Sequence, residues 1–168
     1  MCPQEEQSIV IKHAFRKDIA ALTAVETACF PPAEAATEKE FICRVQYYGN
    51  HFWLLYDADK LLAFVDCFVT DEPDLTDVMY EDAALHNEQG AWQMIFGVNT
   101  LPEYRRHGYA GQLLRRAVAD ARQQGRKGHQ ALAAHGAPAM PVRRGALGPH
   151  RGRLRGSGLQ FSPSLTAA

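Results

Sequence analysis

An α+β domain, with helices on both faces of a mixed central sheet, is the fold this sequence predicts, on three observations. Strand-length runs of β-branched and aromatic residues occur at 8–14, 51–57, 61–70 and 91–100. Apolar residues at helical spacing mark 17–29, 38–48 and 108–124. The two kinds of segment follow one another as βααβββα, an order that covers a sheet with helices instead of stacking sheet on sheet.

The elements follow in chain order. SIVIKHA is the first strand, and Ile19, Leu22, Val25 and Ala28 give a first helix that Pro31 and Pro32 stop. Thr37 with Glu40 three residues on is a capping-box pattern, so the second helix begins there and ends before Gly49. HFWLLYD and LLAFVDCFVT form an antiparallel hairpin turning at Asp57–Lys60. The acidic run DEPDLTDVMYEDAALHNEQG, residues 71–90, predicts a surface loop. AWQMIFGVNT is apolar enough for a central strand, and Leu113, Leu114, Ala117, Val118 and Ala121 line one face of a long helix stopped at Gly125.

A chain of 168 residues has room for one ordinary domain. With 46% apolar and 22% charged residues its composition is globular. The net charge of −1 hides a split: residues 1–120 hold all nineteen acids and a net −9, while 121–168 hold eight basic residues and no acid. After Gly128 six glycines and four prolines fall within forty residues, with no sustained period beyond a short QALAA. Two domains of the chain are therefore expected, 1–128 folded and 129–168 an atypical Gly, Pro and Arg-rich tail, left without a fold or produced by a shift of reading frame. Cys2, Cys29, Cys43 and Cys67 have no metal-ligand spacing, so no metal is expected. Neither a signal-length apolar run nor a membrane-length one occurs, and a soluble cytoplasmic protein is the expectation.

One stretch carries chemistry. In PEYRRHGYAGQLL, residues 102–114, a strand ends near Thr100, the chain turns at Pro102 and a helix begins around Gly108. The amides of a helix start are unpaired and carry about half a positive charge, to which Arg105 and Arg106 add two formal ones. Gly108 lets the backbone approach a ligand, and Ala110 and Gly111 keep the first turn free of bulk. That is the outline of a phosphate cradle. The same residues also suit a glycine turn whose arginines are simply solvated, and neither GxxxxGK[ST] nor GxGxxG is present here.

This pattern resembles the GCN5-related N-acetyltransferase (GNAT) superfamily, whose Q/R-x-x-G-x-G/A signature is met by Arg105, Gly108 and Ala110, with Pro102, Glu103 and Tyr104 as lead-in. CFPPAEAATEKEF is similar to the substrate-side loop of arylalkylamine-type members. The resemblance implies the acyl-CoA N-acyltransferase fold, with acetyl-CoA as cosubstrate and its pyrophosphate on the segment Arg105, Arg106, His107, Gly108, Tyr109, Ala110 and Gly111. The pantetheine arm is expected along Val98, Asn99 and Thr100, where backbone N–H groups polarise the thioester carbonyl. Direct transfer to a primary amine of a small molecule then needs a base, for which His86 and Glu88 are the candidates, with Glu81 and Asp82 as alternatives. His107 is expected to donate to phosphate, and Phe30, Pro31, Pro32 and Glu34 to shape the amine pocket, although a helix-breaking Pro-Pro turn explains the same residues.

The family continues after its cofactor helix with more strands and a helix, often bearing a tyrosine acid, whereas this chain has no tyrosine after Tyr109. The alternative to an enzyme is thus a non-catalytic acyl-CoA-binding remnant. Nucleic-acid binding through RRGALGPHRGRLRG is a third reading, set aside because that run has no interleaved aromatics. The expected partners are a small-molecule amine, no nucleic acid and no membrane, with the chain a monomer or homodimer.

Overall fold

The computed structural model describes residues 8–126 and 128–130. Its elements are β1 (Ile9–Lys12), α1 (Ile19–Cys29), α2 (Glu38–Tyr48), β2 (Phe52–Asp57), β3 (Lys60–Thr70), α3 (Asp77–Glu81), β4 (Trp92–Thr100), α4 (Tyr109–Gln123) and β5 (Gly128–Gln130). Residues 71–90, expected as plain loop, carry the short α3 and a 3-10 turn at Ala83–Leu85. The helix forms there because Met79 and Ala83 bury apolar surface that the acidic composition of the run masks. A three-residue strand begins at Gly128, and of the short strand allowed for at QALAA only Gln130 lies among the described residues. The remainder of the tail lies outside the described residues. No helix among them is long and apolar enough to cross a membrane.

The sheet has the order β1-β2-β3-β4-β5, antiparallel up to β4 and parallel between β4 and β5, so it is mixed as expected. Period-2 alternation sorts its residues into two cores. Phe52, Leu54, Phe64, Phe68, Met94 and Phe96 face Leu22, Val25, Phe41 and Tyr48 of α1 and α2. Trp53, Leu55, Val65, Cys67 and Ile95 face Leu113 and Ala117 of α4. The ladder breaks opposite Asp66 and Cys67, which pair with Gly97 and Ile95 and leave Phe96 as the extra residue of a β-bulge. A bulge reverses the alternation beyond it. Val98 therefore packs on the α4 side, and Asn99 points to α1.

The capping box is as read from the sequence: Thr37 Oγ1 accepts from the Glu40 amide at 3.3 Å, and Glu40 Oε2 accepts from the Thr37 amide at 2.7 Å. It fixes where α2 starts, and so which side chains α2 turns toward the sheet. Thr37→Ala should cost about 1 kcal/mol in denaturant unfolding.

At the Trp92 end of β4 a polar clamp closes the sheet. Glu88 accepts from His51 Nε2 at 2.9 Å, His86 Nε2 at 3.0 Å and Arg126 Nη2 at 3.2 Å. Arg126 also donates to the Gly90 carbonyl at 2.7 Å, joining the end of α4 to the start of β4. Burial opposes the Glu88 charge, yet its hydrogen bonds from His86 and His51 prevail and bring it down to about 2. Burial holds both imidazoles below their ordinary value, with Glu88 working the other way. All three groups therefore bind protons more readily in the unfolded chain. Their stabilisation is whole above about pH 6.5, declines as the histidines of the unfolded chain titrate, and is lost further between about pH 4.3 and 2. Because Glu88 is half-exposed, Glu88→Gln should cost only about 1 kcal/mol at pH 7. The difference from wild type should shrink toward pH 2, as urea unfolding at pH 7, 5 and 3 would measure.

Candidate functional site

The start of α4 brings together open amides and basic side chains. Pro102–Tyr104 forms a 3-10 turn after β4, Arg106 and Gly108 take left-handed backbone with φ of 69° and 81°, and α4 begins at Tyr109. Gly108 is the N-cap and supplies no side-chain acceptor, so the first-turn amides keep their hydrogen-bonding capacity for a ligand. A Cβ at Gly108 would meet nothing within 4 Å, which leaves the mouth of the turn open. Arg105, Arg106 and His107 are exposed around it. His107 Nδ1 lies 3.0 and 2.9 Å from the carbonyls of Tyr104 and Arg105, so its proton sits there, and Nε2 can donate to a phosphate only in the doubly protonated ring. These groups fit a pyrophosphate.

The adjoining edge of β4 fits an extended chain. Among the described residues β4 pairs with β5 only at Trp92, Gln93 and Met94, so from Ile95 to Thr100 the strand is bonded to β3 alone. An edge of this kind offers alternate N–H and C=O groups to whatever lies beside it. Val98 and Thr100 are half-buried there and Asn99 is buried.

Beneath that edge, on the α1/α2 side, runs a buried line of polar groups. Asn99 Nδ2 donates to Glu26 Oε2 at 2.6 Å, and Glu26 Oε1 accepts from the Ala36 amide at 2.9 Å. Arg44 Nη1 faces Asp66 Oδ2 at 3.5 Å, both side chains under 10% exposed. Burial works against the Arg44 charge, but Asp66 foremost, with Tyr48, Glu40 and Glu26, holds the guanidinium above its ordinary value. Arg44 Nη2, Tyr48 Oη, Asn99 Oδ1 and Glu34 Oε2 are buried with no hydrogen-bond partner among the described residues. The end of α1 meets the cradle itself: Cys29 Sγ donates to the Thr100 carbonyl at 3.3 Å, and Arg105 Nε donates to the same oxygen at 3.3 Å. Burial pushes the Cys29 thiol up, with Arg105 pulling against it.

The structure thus gathers one group of the expected residues and separates another. Val98–Thr100, Arg105–Gly111 and the loop of Phe30, Pro31, Pro32 and Glu34 stand at one end of β4. In that loop Phe30 and Glu34 are half-buried, Pro31 and Pro32 are exposed, and the Glu34 and Ala35 amides donate to the Pro31 carbonyl at 2.9 and 3.0 Å. His86 and Glu88 stand at the other end, beside Val69 and Asn50, and nine strand residues span about 26 Å. The Val69 amide donates to His86 Nδ1 at 3.2 Å, so that lone pair is engaged, and the neutral ring carries its proton on Nε2 toward Glu88. Glu81 and Asp82 are exposed on and after α3.

His51, His86 and Glu88 also offer ligand atoms within 4.8 Å of one another, the spacing of a metal site. Their chemistry does not fit a cation. His86 has no bare nitrogen to give, and the Arg126 guanidinium already neutralises Glu88. The charged residues of the buried line beneath the β4 edge, Glu26, Arg44 and Asp66, were not anticipated from the sequence. Each carried a signal, a formal charge at a position that the helical or strand period assigns to the core.

Known proteins share this fold. The sequence model of the Acetyltransferase (GNAT) family matches residues 19–142. No curated protein matches the chain. Among solved structures, the loading GNATL domain of CurA from Lyngbya majuscula is 23% identical with a TM-score of 0.60, over 67% of this chain and 57% of that one. The GphF GNAT-like decarboxylase, in complex with isobutyryl-CoA, is 27% identical with a TM-score of 0.59, over 67% and 59%. This chain therefore spans less than two thirds of the length of these two proteins. A GNAT family acetyltransferase from Brucella melitensis, in complex with acetyl-CoA, is 18% identical with a TM-score of 0.52, over 77% and 79%. With about three quarters of its length matched by the family model, the chain belongs to the acetyltransferase (GNAT) family.

Proposed function

We propose that this chain transfers an acyl group from acetyl-CoA to a primary amine of a small molecule of the arylalkylamine type. The observation that carries the reading is the uncapped start of α4 standing beside the edge of β4 that has no outer strand among the described residues. The first suits a pyrophosphate and the second an amide-bearing pantetheine arm. Complexes of related folds with acetyl-CoA and isobutyryl-CoA agree with an acyl-CoA thioester as donor.

In the reaction the amine nitrogen attacks the thioester carbonyl carbon, so that a C–N bond forms, the C–S bond breaks and the sulfur leaves as thiolate. The N–H groups along Val98–Thr100 stabilise the oxygen that gains charge. Glu34 Oε2, buried and without a hydrogen-bond partner among the described residues, is an acceptor for the incoming ammonium and for the proton it loses. Phe30, half-buried in the same loop, adds an aromatic side chain to that charged one. His86 and Glu88, the bases expected from the sequence, serve the clamp at the far end of β4 in this reading.

A second reading has one observation in its favour, the 27% identity to a GNAT-like decarboxylase. There the same cradle would hold a carboxyacyl-CoA that loses carbon dioxide without an amine. The two are separated by supplying acetyl-CoA with arylalkylamines, polyamines or a peptide N-terminus, and malonyl-CoA alone, while free CoA and carbon dioxide are followed.

Calorimetry should give a micromolar to sub-millimolar Kd for acetyl-CoA, and CoA release should depend on the amine. No affinity at high micromolar acetyl-CoA removes the reading, and binding without turnover leaves the non-catalytic remnant. Gly108→Ala places a Cβ on left-handed backbone at the cradle mouth. It should weaken acetyl-CoA about tenfold while costing only about 1 kcal/mol of stability.

A further inference from the structure

Asp66 is the one acid in the apolar run LLAFVDCFVT, and it is 2% exposed. It pairs across the ladder with Gly97, at the point where β3 and β4 fall out of register. Its carboxylate lies on the bare face of that glycine: a Cβ on Gly97 would stand 2.5 Å from Asp66 Oδ1 and 3.9 Å from Asn99 Nδ2. An exposed aspartate would swing away from such a methyl group. This one is buried, and its second oxygen faces Arg44 of α2 at 3.5 Å.

Three consequences meet at this place. The bulge turns Val98 toward α4 and Asn99 toward Glu26, so it sets the direction of every amide from Val98 to Thr100. Those amides belong to the stretch of β4 that has no partner on its outer side among the described residues. The carboxylate that occupies the volume of the Gly97 side chain is tied to Arg44 of α2. A buried ion pair contributes little to stability over apolar side chains of the same size, so a role in geometry is the better account of it.

We propose that Asp66, held by Arg44, is a positioning residue that fixes the β4 bulge at Gly97 and thereby aims the outward-facing N–H groups of the Val98–Thr100 stretch at the thioester carbonyl. This rests on the acyl-transfer reading above. Asp66 touches strand backbone and acts through it. Gly97 must lack a side chain because the carboxylate fills its place. Arg44 serves by keeping Asp66 from rotating off the strand.

The test uses the full chain and compares wild type with Asp66→Asn, Gly97→Ala and their double variant, with Arg44→Lys as the conservative change and Lys39→Ala on the exposed side of α2 as a control. For each, thermal unfolding, the Kd of acetyl-CoA and of CoA, kcat and KM are measured, together with the amide NMR shifts of Gly97, Val98 and Asn99 in the presence of each ligand. Wild type should show shifts at these amides that differ between acetyl-CoA and CoA, because only the first presents an acyl carbonyl. Asp66→Asn and Gly97→Ala should lose that difference and about a hundredfold in kcat, with Kd changed less than threefold because the cradle is untouched. Arg44→Lys should keep kcat within about tenfold.

If the methyl group that Gly97→Ala introduces acts by displacing Asp66, the double variant falls no further than either single one. Folded Asp66→Asn that keeps the acyl-specific shifts, or losses that multiply in the double variant, overturns the proposal and leaves the acyltransferase reading standing. Failure of wild type to bind acetyl-CoA removes that reading, and this one with it.

Discussion

The pairing of β3 with β4 is the interaction on which the rest of the structure depends. β3 is buried on both faces from Leu61 to Thr70, so it needs strands on both sides and helices on both faces. β2 and β4 supply the first, α1, α2 and α4 the second. Such a strand buries apolar area at roughly 25 cal/mol per Å2 on two sides at once. It also leaves no tolerance for a slip of register, since a shift of one residue would exchange Phe64 and Phe68 with Val65 and Cys67. Between β3 and β4 the bulge is the one irregularity, and the ladder resumes at once on either side of it, while a second shift separates Leu55 from Tyr56 in the pairing of β2 with β3.

Charge inside this frame is organised by helix. Glu26 comes from α1 and Arg44 from α2, and each turns a charged side chain onto a sheet face rich in phenylalanine. Glu26 joins the α1–α2 loop to Asn99, while Arg44 joins α2 to Asp66. Movement of either helix relative to the sheet would strand a desolvated charge, a cost of several kcal/mol. The aromatic ladder of Tyr80 on Phe96 at 4.3 Å and Phe96 on Phe68 at 4.8 Å extends the same constraint to α3. The face toward which an acceptor would come is stiffened from three helices.

What the sequence made legible follows from the range of the forces involved. Caps, periods and turn residues act over a few positions, so α2 with its Thr37 box, the β2–β3 hairpin and the Gly108 start of α4 could be read directly. The cradle was legible for the same reason, being one continuous stretch. Glu26, Arg44 and Asp66 were not, because their partners lie 73, 22 and 31 residues away along the chain and only the sheet register joins them. His86 and Glu88 attract attention as a loop histidine and carboxylate, yet His51 and Arg126, which give them their role, are 35 and 38 residues distant in sequence. In an isolated sequence, the readable trace of such contacts is a charge out of phase with the apolar period.

The outer edge of β4 has a physical consequence for the molecule in solution. Among the described residues, parallel pairing with β5 covers the Trp92 end of β4 as far as Met94, and beyond it alternate peptide groups of the strand have no strand beside them. Any extended polyamide competes for that edge, whether the arm of a coenzyme or a strand from another copy of the protein. Occupancy by a ligand and association of copies would therefore compete for the same stretch of strand. A ligand that pairs with this edge is also the chaperone of its own binding site.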